Sequence, residues 1–513
     1  MNRIRTRPLS APEACFYQLS RLGNMNSCEL ITLDRIPSLE RLSESIEIAR
    51  RAHPLSRARL HRPRWWRRGF WAIEESPVPL VIHNHALPSE VNVGERGPSD
   101  EALSFLCEQI WSREGLGLTD PLIQVELWCS PQRSLCFLLF ICPHFGVDAY
   151  AGARFAADVL EVYSVLEGFE SARGAALLAA PIAELDAPEL LKDPLAEVES
   201  GLGEKLRSSF AALRGLMSDL ISPAEGFAFP EKKRGMTRLQ IQPVEDELLK
   251  ETLQTARVLG LSAHTLFSTA LARLRETRSP QAKPLRFVDL CDLRSFVHPN
   301  ARARQGCLVL PFSQTLPRGL TEMGSDGQNA RRQLSQQLRA IREGRAQSEL
   351  RRLRFYAYLA RWVPLEWVSE WLFRRLLKTD LVTTNPGPVP FSFERCGSAK
   401  VVDFINFPNL SGGARFALIY STFRGALRLF TLADSTVIDV AEQRGLAEAF
   451  VKALRALLEE LKAESNGGNQ APKRQRLDSP DQSVTLTTSE GERQYEAARE
   501  GAVVGMEGCR AGA

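Results

Sequence analysis

Apolar residues follow two different spacings along the first 170 residues. Segments 38–52, 100–113 and 150–166 carry apolar side chains every three to four positions, which predicts helices. Two nearly continuous apolar runs at 122–129 and 133–142 are typical of buried strands, and the Pro-Gln-Arg between them predicts a hairpin turn. Because a hairpin makes part of the sheet antiparallel, a purely doubly wound sheet is disfavoured.

The second half of the chain repeats this mixture of helices and strands. Its predicted elements are helices at 246–258, 263–277 and 440–464, a helical block at 328–378, a strand at 285–292 and a hairpin at 415–432. In the hairpin, two apolar runs flank Phe-Arg-Gly, a composition typical of turns. The hydrophobic pattern therefore predicts an α/β (α+β) protein with two lobes.

Changes in composition predict where these parts begin and end. Residues 181–235 are interrupted by Ala, Pro and Gly and predict a crossover linker. The linker separates an N-terminal lobe over 1–180 from a C-terminal lobe over 236–464. The last segment, 465–513, is rich in Ser, Gly, Asn, Gln, Lys and Glu and has almost no periodic apolar residues. It is predicted to be a disordered tail.

The composition is that of a folded, water-soluble protein. The 513 residues include 44% hydrophobic and 25% charged residues, with a formal net charge of +4. A dedicated nucleic-acid binder has a larger basic excess, so no nucleic-acid partner is predicted. The basic N-terminus lacks the apolar core of a secretory signal, and the apolar run at 135–142 is too short to span a bilayer. We therefore expect a cytoplasmic protein.

Neither a metal site nor a disulfide framework is predicted. The ten cysteines are scattered without a C-x-x-C pair. His83 and His85 form an H-x-H pattern, but no cysteine or carboxylate with metal-ligand spacing accompanies them. The sequence also lacks G-x-x-x-x-G-K-[ST], a Rossmann G-x-G-x-x-G after a strand, and G-x-S-x-G. Nucleotide hydrolysis and serine-hydrolase chemistry are therefore not supported.

The most informative segment for function is the end of the strand at 133–142. His144 follows this strand at once, the chain turns over Gly146, and Asp148 lies four residues after the histidine. A histidine held at a strand end can face a cleft, and its ordinary pKa of about 6.5 suits a general base at neutral pH. His144 is therefore a candidate catalytic residue.

A purely structural interpretation of the same residues stays open. A backbone carbonyl can satisfy a strand-end histidine, and Asp148 stands where the N-cap of the following helix is expected. An H-x-x-x-D pattern also arises readily by chance in a chain with seven histidines, so the spacing alone does not decide.

The wider sequence resembles the chloramphenicol acetyltransferase-like superfamily, which includes condensation domains of nonribosomal peptide synthetases, wax ester synthases, and polyketide-associated and alcohol acyltransferases. Its H-H-x-x-x-D-G signature is matched at His144 and Asp148. The resemblance covers most of residues 7–463. Further segments similar to the family, in the family's order, are PLSAPEACFYQLSRLGNMNSCELITL at 8–33, ARRAHPLSRARL at 49–60, TARVLGLSAHTLFSTALARL at 255–274, VDLCDLRSFV at 288–297 and LVTTNPGPVPF at 381–391.

The signature is incomplete at two positions. Pro143 replaces the first histidine, which several branches of the family also lack, and Ala149 replaces the terminal glycine. Alanine at this position would crowd the entrance for the acceptor or forbid a positive φ. Two functions therefore remain open: an active enzyme, and a catalytically inactive relative that uses its cleft as a binding or docking site.

The resemblance implies two lobes, each a mixed sheet flanked by helices, with an active-site tunnel between them. An acyl thioester would enter from one side and a hydroxyl or amine acceptor from the other. His144 would act as general base on the acceptor, so the resemblance implies a thioester-dependent acyltransferase of the EC 2.3.1 type. It is expected to be a stand-alone enzyme, because no adenylation or carrier-domain pattern is evident in the sequence. No acyl-enzyme intermediate is needed in this reaction.

The resemblance also implies roles for residues around the histidine. Asp148 would be a structural support paired with Arg294. Thr384 and Asn385 would lie on a loop near the channel and donate to the oxyanion, although a simple Asn-Pro-Gly-Pro turn is an equal alternative. The other residues expected at the substrate site are Gly146, Ala149 and Gly387.

The implied donor is coenzyme A thioester or the phosphopantetheine thioester of an acyl or peptidyl carrier protein. Either is a substrate, so no bound cofactor is expected. The acceptor would be a small alcohol or amine from secondary or lipid metabolism. By analogy with two-lobed members of the family, the protein is expected to be a monomer.

Two clusters of basic and aromatic residues leave further interpretations open. Between Arg331 and Lys378 there are twelve Lys/Arg and four Asp/Glu. They indicate either a docking surface for coenzyme A phosphates, an acidic carrier protein or a peripheral membrane contact, or a solvated helical face. The second cluster, HRPRWWRRGFW at 61–71, is predicted to be a strand and loop of the first lobe rather than a single-stranded nucleic-acid site.

Overall fold

Most of residues 5–467 are described in the computed structural model of the protein. The described residues are 5–20, 25–61, 69–73, 80–94, 97–111, 122–130, 132–180, 235–278, 284–294, 306–340, 380–389, 394–410 and 414–467, with short pieces at 210, 214, 226–227, 229, 349–350, 352–353 and 355. The chain up to Glu464 is one compact unit.

The helices in this part of the chain are distributed over both halves. They are α1 (Ala11–Ser20), α2 (Leu39–Ala52), α3 (Asp100–Trp111), α4 (Ala149–Leu166), α5 (Ala172–Ala179), α6 (Asp246–Leu259), α7 (Ala263–Arg278), α8 (Gly324–Ala340) and α9 (Val440–Gly467). A 3₁₀-helix at Pro54–Arg57 follows α2. The helices predicted from apolar spacing agree with α2, α3, α4, α6, α7 and α9 to within three residues at each end.

Two six-stranded sheets and one small sheet make up the described β-structure. The first sheet contains β2 (Asn26–Leu33), β5 (Ile82–Ala86), β6 (Gln124–Cys129), β7 (Cys136–Pro143), β12 (Arg395–Cys396) and β13 (Ala399–Pro408). The second contains β8 (Thr237–Pro243), β9 (Arg286–Asp292), β10 (Val309–Thr315), β11 (Leu381–Pro388), β14 (Phe416–Phe423) and β15 (Ala426–Asp434). The small sheet contains β1 (Arg5–Pro8), β3 (Ala58–His61) and β4 (Phe70–Ile73).

Both large sheets are mixed, which confirms the predicted fold class. The strand order is β12-β13-β2-β7-β6-β5 in the first sheet and β10-β9-β11-β14-β15-β8 in the second. In the first sheet β5 pairs with β6 in parallel, and in the second β11 is parallel to both β9 and β14. The two predicted hairpins are present as the antiparallel pairs β6–β7 and β14–β15.

The continuous apolar run of strand β7 is explained by burial on both faces of the sheet. All eight of its residues are buried, because the strand lies inside the sheet and both faces are covered. Leu138 and Phe140 pack in the cluster that contains Phe155 of α4, whereas Phe137 and Leu139 pack in a cluster with α3. Alternate side chains of a strand point to opposite faces, so α3 and α4 sandwich this sheet.

Strand β13 belongs to the first sheet although it comes late in the sequence. It pairs antiparallel with β2, with Pro408 opposite Ser27. A segment from the predicted C-terminal lobe over 236–464 thus completes the first sheet. Pairing over such a separation depends on the assembled sheet, and local apolar spacing carries no signal for it.

A shared apolar cluster connects the two large sheets. Phe407 of β13 and Phe137 of β7 lie in the same cluster as Leu239 of β8 and Phe430 of β15. Since the cluster draws on both sheets, the two halves of the chain bury one another's apolar surface.

Several sequence-based predictions fall outside the described residues. They concern most of the crossover linker at 181–235, the basic segments 62–68 and 356–379, and the tail after Gly467. Within the described helices, none combines the length and hydropathy needed to cross a bilayer.

Candidate active site

His144 lies in a tight turn directly after β7. The carbonyl of Pro143 accepts hydrogen bonds from the backbone N–H of Gly146 at 2.8 Å and of Val147 at 3.3 Å, which closes the turn. The backbone N–H of His144 donates to the carbonyl of Met25 at 2.8 Å, just before β2. Two strands of the first sheet therefore fix the backbone of the histidine.

The hydrogen bond of the His144 ring selects its tautomer. Nδ1 lies 3.2 Å from the backbone oxygen of Val147. A carbonyl oxygen can only accept, so Nδ1 carries the proton and the lone pair resides on Nε2. The ring of Phe16 packs on the imidazole with centroids 4.7 Å apart, which holds the ring orientation. His144 thus presents Nε2 as its basic atom.

The surroundings of His144 favour its neutral form. The residue is only 6% exposed, and burial lowers the pKa of its imidazole below the ordinary value of 6.5. The negative charge of Asp148 acts in the opposite direction but does not cancel the effect of burial. At neutral pH the ring is therefore able to accept a proton.

Asp148 is a fully buried carboxylate that holds three groups together. It is the N-cap of α4, and Oδ1 accepts a hydrogen bond from the backbone N–H of Ala151 at 3.0 Å. Arg294 Nη2 lies 2.5 Å from the same oxygen. Oδ2 accepts from the backbone N–H of Leu308 at 2.8 Å. Both carboxylate oxygens of Asp148 are thus occupied by hydrogen-bond donors.

Both structural roles considered for Asp148 from the sequence are realised at once. The carboxylate caps the helix and also pairs with Arg294, the partner that the sequence suggested. Arg294 follows β9 and Leu308 precedes β10, so two of the three groups that bind Asp148 come from segments that flank strands of the second sheet. The turn that carries His144 is therefore tied to the second half of the chain.

Arg294 is itself held in place by further contacts. Its Nη1 lies 2.9 Å from Asp292 Oδ1, and its guanidinium lies over the ring of Tyr150, 4.3 Å from the ring centroid. A buried guanidinium needs such compensation because desolvation of a charge is costly. Tyr150 thereby contacts the lobe junction from the first turn of α4.

Pro143 and Ala149, the two departures from the signature, both lie in regular secondary structure. Pro143 is the last residue of β7 and supplies the carbonyl that closes the turn. Ala149 is the first residue of α4, and a helical backbone requires no positive φ there. Among the non-glycine residues that the structure describes, only Arg424 has a positive φ. Ala149 therefore meets no conflict with a positive φ, and crowding of the acceptor entrance stays a prediction.

Thr384, Asn385 and Gly387 lie in a strand rather than on the expected loop. They belong to β11, which pairs in parallel with β14 and has a break in register between Thr384 and Gly387. At such a break, successive residues of a strand no longer alternate regularly between the two faces of the sheet. Their proximity to substrate and the oxyanion role of Thr384 or Asn385 remain predictions.

A small cavity lies beside the His144 turn. Its volume is about 30 Å³, which leaves room for about two water molecules. Its lining residues are Glu29, His53, Leu55, Ser56, Ile123, Phe140, Cys142, Gly146, Val147, Ala151, Gly152, Phe155 and Gly306. Gly146 and Val147 are part of the turn itself, so the cavity adjoins the turn that carries His144.

Glu29 is the polar side chain of this cavity that the sequence analysis missed. It lies on β2, has no exposed surface, and accepts a hydrogen bond from Asn406 Nδ2 at 2.5 Å. Burial raises the pKa of the Glu29 carboxyl well above its ordinary value of 4.5. A lone acid in the apolar run NSCELITL was the available signal, although the partner Asn406 lies 377 residues away.

The remaining buried histidines of the described chain pair with single aspartates. His53 Nε2 lies 2.9 Å from Asp158 Oδ2, and His264 Nε2 lies 2.5 Å from Asp289 Oδ2. Within the described residues, no group of His, Cys, Asp and Glu side chains has the arrangement of a metal site. His144 differs from both because its hydrogen-bonded nitrogen faces a carbonyl and not a carboxylate.

Comparisons with known proteins reveal similarity at the level of structure. No protein-family model matches the sequence, and no curated protein does. The trichothecene 15-O-acetyltransferase of Fusarium sporotrichioides superposes with a TM-score of 0.64 at 14% identity, covering 89% of this chain and 95% of that one. The first condensation domain of the calcium-dependent antibiotic synthetase, in complex with a substrate analogue, gives 0.62 at 17% identity, covering 88% and 97%.

A third similar structure was determined with a thioester bound. The starter condensation domain of rhizomide synthetase, in complex with C8-CoA, gives a TM-score of 0.60 at 15% identity, covering 89% of this chain and 95% of that one. These similarities confirm the expected fold class. The chain has the two-lobed fold seen in these acetyltransferase and condensation-domain structures.

Proposed function

We propose that this chain, which has the fold of condensation-type acyltransferases, transfers an acyl group from a thioester to a hydroxyl or amine acceptor. The observation that carries the proposal is the state of His144. Its ring is buried and neutral, its Nδ1–H is engaged by a carbonyl, and its Nε2 is left as a basic atom. A general base for an acceptor of high pKa needs this arrangement.

In the proposed reaction, Nε2 of His144 takes the proton from the acceptor O–H or N–H as the acceptor attacks the thioester carbonyl. The tetrahedral oxyanion then collapses, the carbon–sulfur bond breaks, and the imidazolium returns its proton to the departing thiolate. The products are an ester or amide and a free thiol. His144 ends the cycle neutral, so no residue needs to carry the acyl group.

The role of Asp148 in this proposal is indirect. A carboxylate that contacted the imidazole would stabilise the imidazolium, as in a catalytic triad. Asp148 instead binds Arg294, Leu308 and Ala151, and thereby holds the His144 turn against the second half of the chain. It is a positioning residue for the base.

The donor in the proposed reaction is acyl coenzyme A or an acyl group on a carrier protein. The rhizomide starter condensation domain was solved with C8-CoA and supports the first, and the antibiotic synthetase domain has the fold used within peptide synthetases and supports the second. The acetyltransferase from Fusarium supports a hydroxyl acceptor.

The test is acceptor-dependent release of thiol from short- to long-chain acyl-CoAs and from carrier-bound acyl groups, with alcohols and amines as acceptors. His144→Ala should lower kcat/KM by about 10²–10⁴-fold. His83→Ala is the matched control, since His83 is an exposed histidine on β5 and should retain full activity.

Circular dichroism and urea unfolding establish that both variants fold. Loss of activity in a folded His144→Ala together with normal activity in His83→Ala supports the proposal. Wild-type protein that releases no thiol from either donor class, or His144→Ala that keeps wild-type rates, would contradict it.

A further inference from the structure

Glu29 is unusual among the polar groups that line the cavity beside His144. His53 and Ser56 also line it, but His53 Nε2 bonds to Asp158 and Ser56 Oγ donates to the carbonyl of His53. Glu29 Oε1 accepts from Asn406, whereas Oε2 is buried without a hydrogen-bond partner among the described residues. A buried carboxyl oxygen left unsatisfied destabilises the fold, which calls for a functional reason.

The hydrogen bond from Asn406 determines what Glu29 can offer. Because the amide N–H₂ donates to Oε1, the acid proton of the neutral carboxyl belongs on Oε2. The free atom is therefore an O–H donor, and its complement is an oxygen with a lone pair. A cation or an apolar group would not satisfy it.

The walls of the cavity leave room for a small group only. Phe140 of β7 and Phe155 of α4 form apolar walls, and the open space matches about two water molecules. Gly152 permits this geometry, because a Cβ at that position would lie 2.1 Å from Glu29 Oε1. Helix α4 can approach β2 this closely only with glycine at position 152. The buried position of the Glu29 carboxyl therefore depends on this glycine.

We propose that this cavity receives a small oxygen-bearing group of a substrate, a hydroxyl or carbonyl, and that Glu29 Oε2 donates the hydrogen bond that selects it. The inference rests on the proposed acyl transfer and names a specificity-determining residue for it. A group bound there contacts Gly146 and Val147 of the turn, next to the His144 base. The oxygen can belong to the acyl chain or to the acceptor.

Two arms of one experiment distinguish these sources. In the donor arm, propionyl-CoA is compared with hydroxyacetyl-CoA, which replaces a methyl group by a hydroxyl, using one acceptor. In the acceptor arm, a primary alcohol is compared with the diol of equal heavy-atom number, using acetyl-CoA. Wild-type protein should prefer the oxygenated member in one arm by about tenfold in kcat/KM, the effect of one hydrogen bond in a dry site.

Variants at Glu29 test whether the preference comes from this residue. Glu29→Leu removes the hydrogen-bonding group at similar size and should abolish or reverse the preference. Glu29→Gln keeps a side-chain N–H donor and should retain most of it. The Leu variant should therefore change the kcat/KM ratio between the paired substrates, and this ratio, not the absolute rate, is the quantity compared.

Binding supplies a readout that does not need turnover. Isothermal titration of the paired donors and acceptors into His144→Ala, and into His144→Ala with Glu29→Leu, gives the affinity ratio directly. The inference is overturned if the affinity ratio is equal in both proteins, or if neither arm shows a preference for the oxygenated member. The cavity then holds water only. If the wild-type protein shows no acyl transfer but binding still prefers the oxygenated member in a Glu29-dependent way, the proposed function is contradicted and the inference about Glu29 is not.

Discussion

The single side chain of Asp148 makes three different structural contacts. It caps α4, neutralises Arg294 and binds the backbone ahead of β10, all from a position with no exposed surface. Breaking a buried ion pair from one side leaves an uncompensated charge in the interior, which is more costly than removing both partners. The residue is thus expected to matter for stability first and for catalysis through the placement of His144.

Replacing Asp148 by asparagine tests this expectation. Asp148→Asn should destabilise the protein by about 3–5 kcal/mol, because Arg294 loses the charge of its fully buried partner, and Asp292, its other ion-pair partner named above, is half-exposed. The double variant Asp148→Asn with Arg294→Met should recover part of this loss. Urea unfolding followed by circular dichroism measures both values.

The exposed ion pair between Asp100 and Arg444 provides the control. Its distance is 3.3 Å and both side chains are more than half exposed, so Asp100→Asn should cost at most about 1 kcal/mol. Equal losses in Asp148→Asn and Asp100→Asn, or no recovery in the double variant, would contradict the role assigned to Asp148.

Part of the candidate site follows from sequence alone. The abrupt change from the apolar run at 135–142 to His144 and Asp148 marks the strand end, and the suggested Arg294 is in contact with Asp148. Glu29 was missed because its importance depends on Asn406, which reaches it only through the pairing of β13 with β2. Local patterns carry no information about such distant partners.

At the scale of elements, the strand β13 joins the two halves of the chain. Its removal would leave the hydrogen-bonding edge of β2 open and expose Phe407 and its neighbours in the shared cluster. An unpaired edge strand with apolar side chains is an aggregation hazard. The hairpins β6–β7 and β14–β15 were predictable because both partners lie within a few residues of one turn.

Separating the chain at the predicted linker tests the importance of β13. A fragment over 1–235 lacks β12 and β13, so it should be insoluble or unfold without cooperativity, and a fragment over 236–513 should behave likewise. Co-expression of the two fragments should restore soluble protein. Urea unfolding of the purified material is the measurement, and a cooperative transition in the isolated 1–235 fragment would show that the lobe folds without β13.

At the scale of the whole molecule, the site is assembled where the two sheets meet. The first sheet supplies the His144 turn, and segments flanking β9 and β10 supply Arg294 and Leu308. The resemblance to condensation-type enzymes anticipated this two-lobed architecture from five scattered segments. It did not anticipate that Thr384 and Asn385 lie within β11, since a Pro-Gly-rich sequence ordinarily predicts a turn.

The central claim, that neutral His144 removes the proton from the acceptor, is tested most directly by the pH dependence of kcat/KM for acceptor-dependent thiol release. Only the neutral imidazole is a base, and burial lowers its pKa, so activity should persist below pH 6.5 and fall only as His144 becomes protonated. The account predicts an acidic limb with an apparent pKa below 6.5 that disappears in His144→Ala. A limb at or above 6.5, or one that survives in His144→Ala, would contradict it.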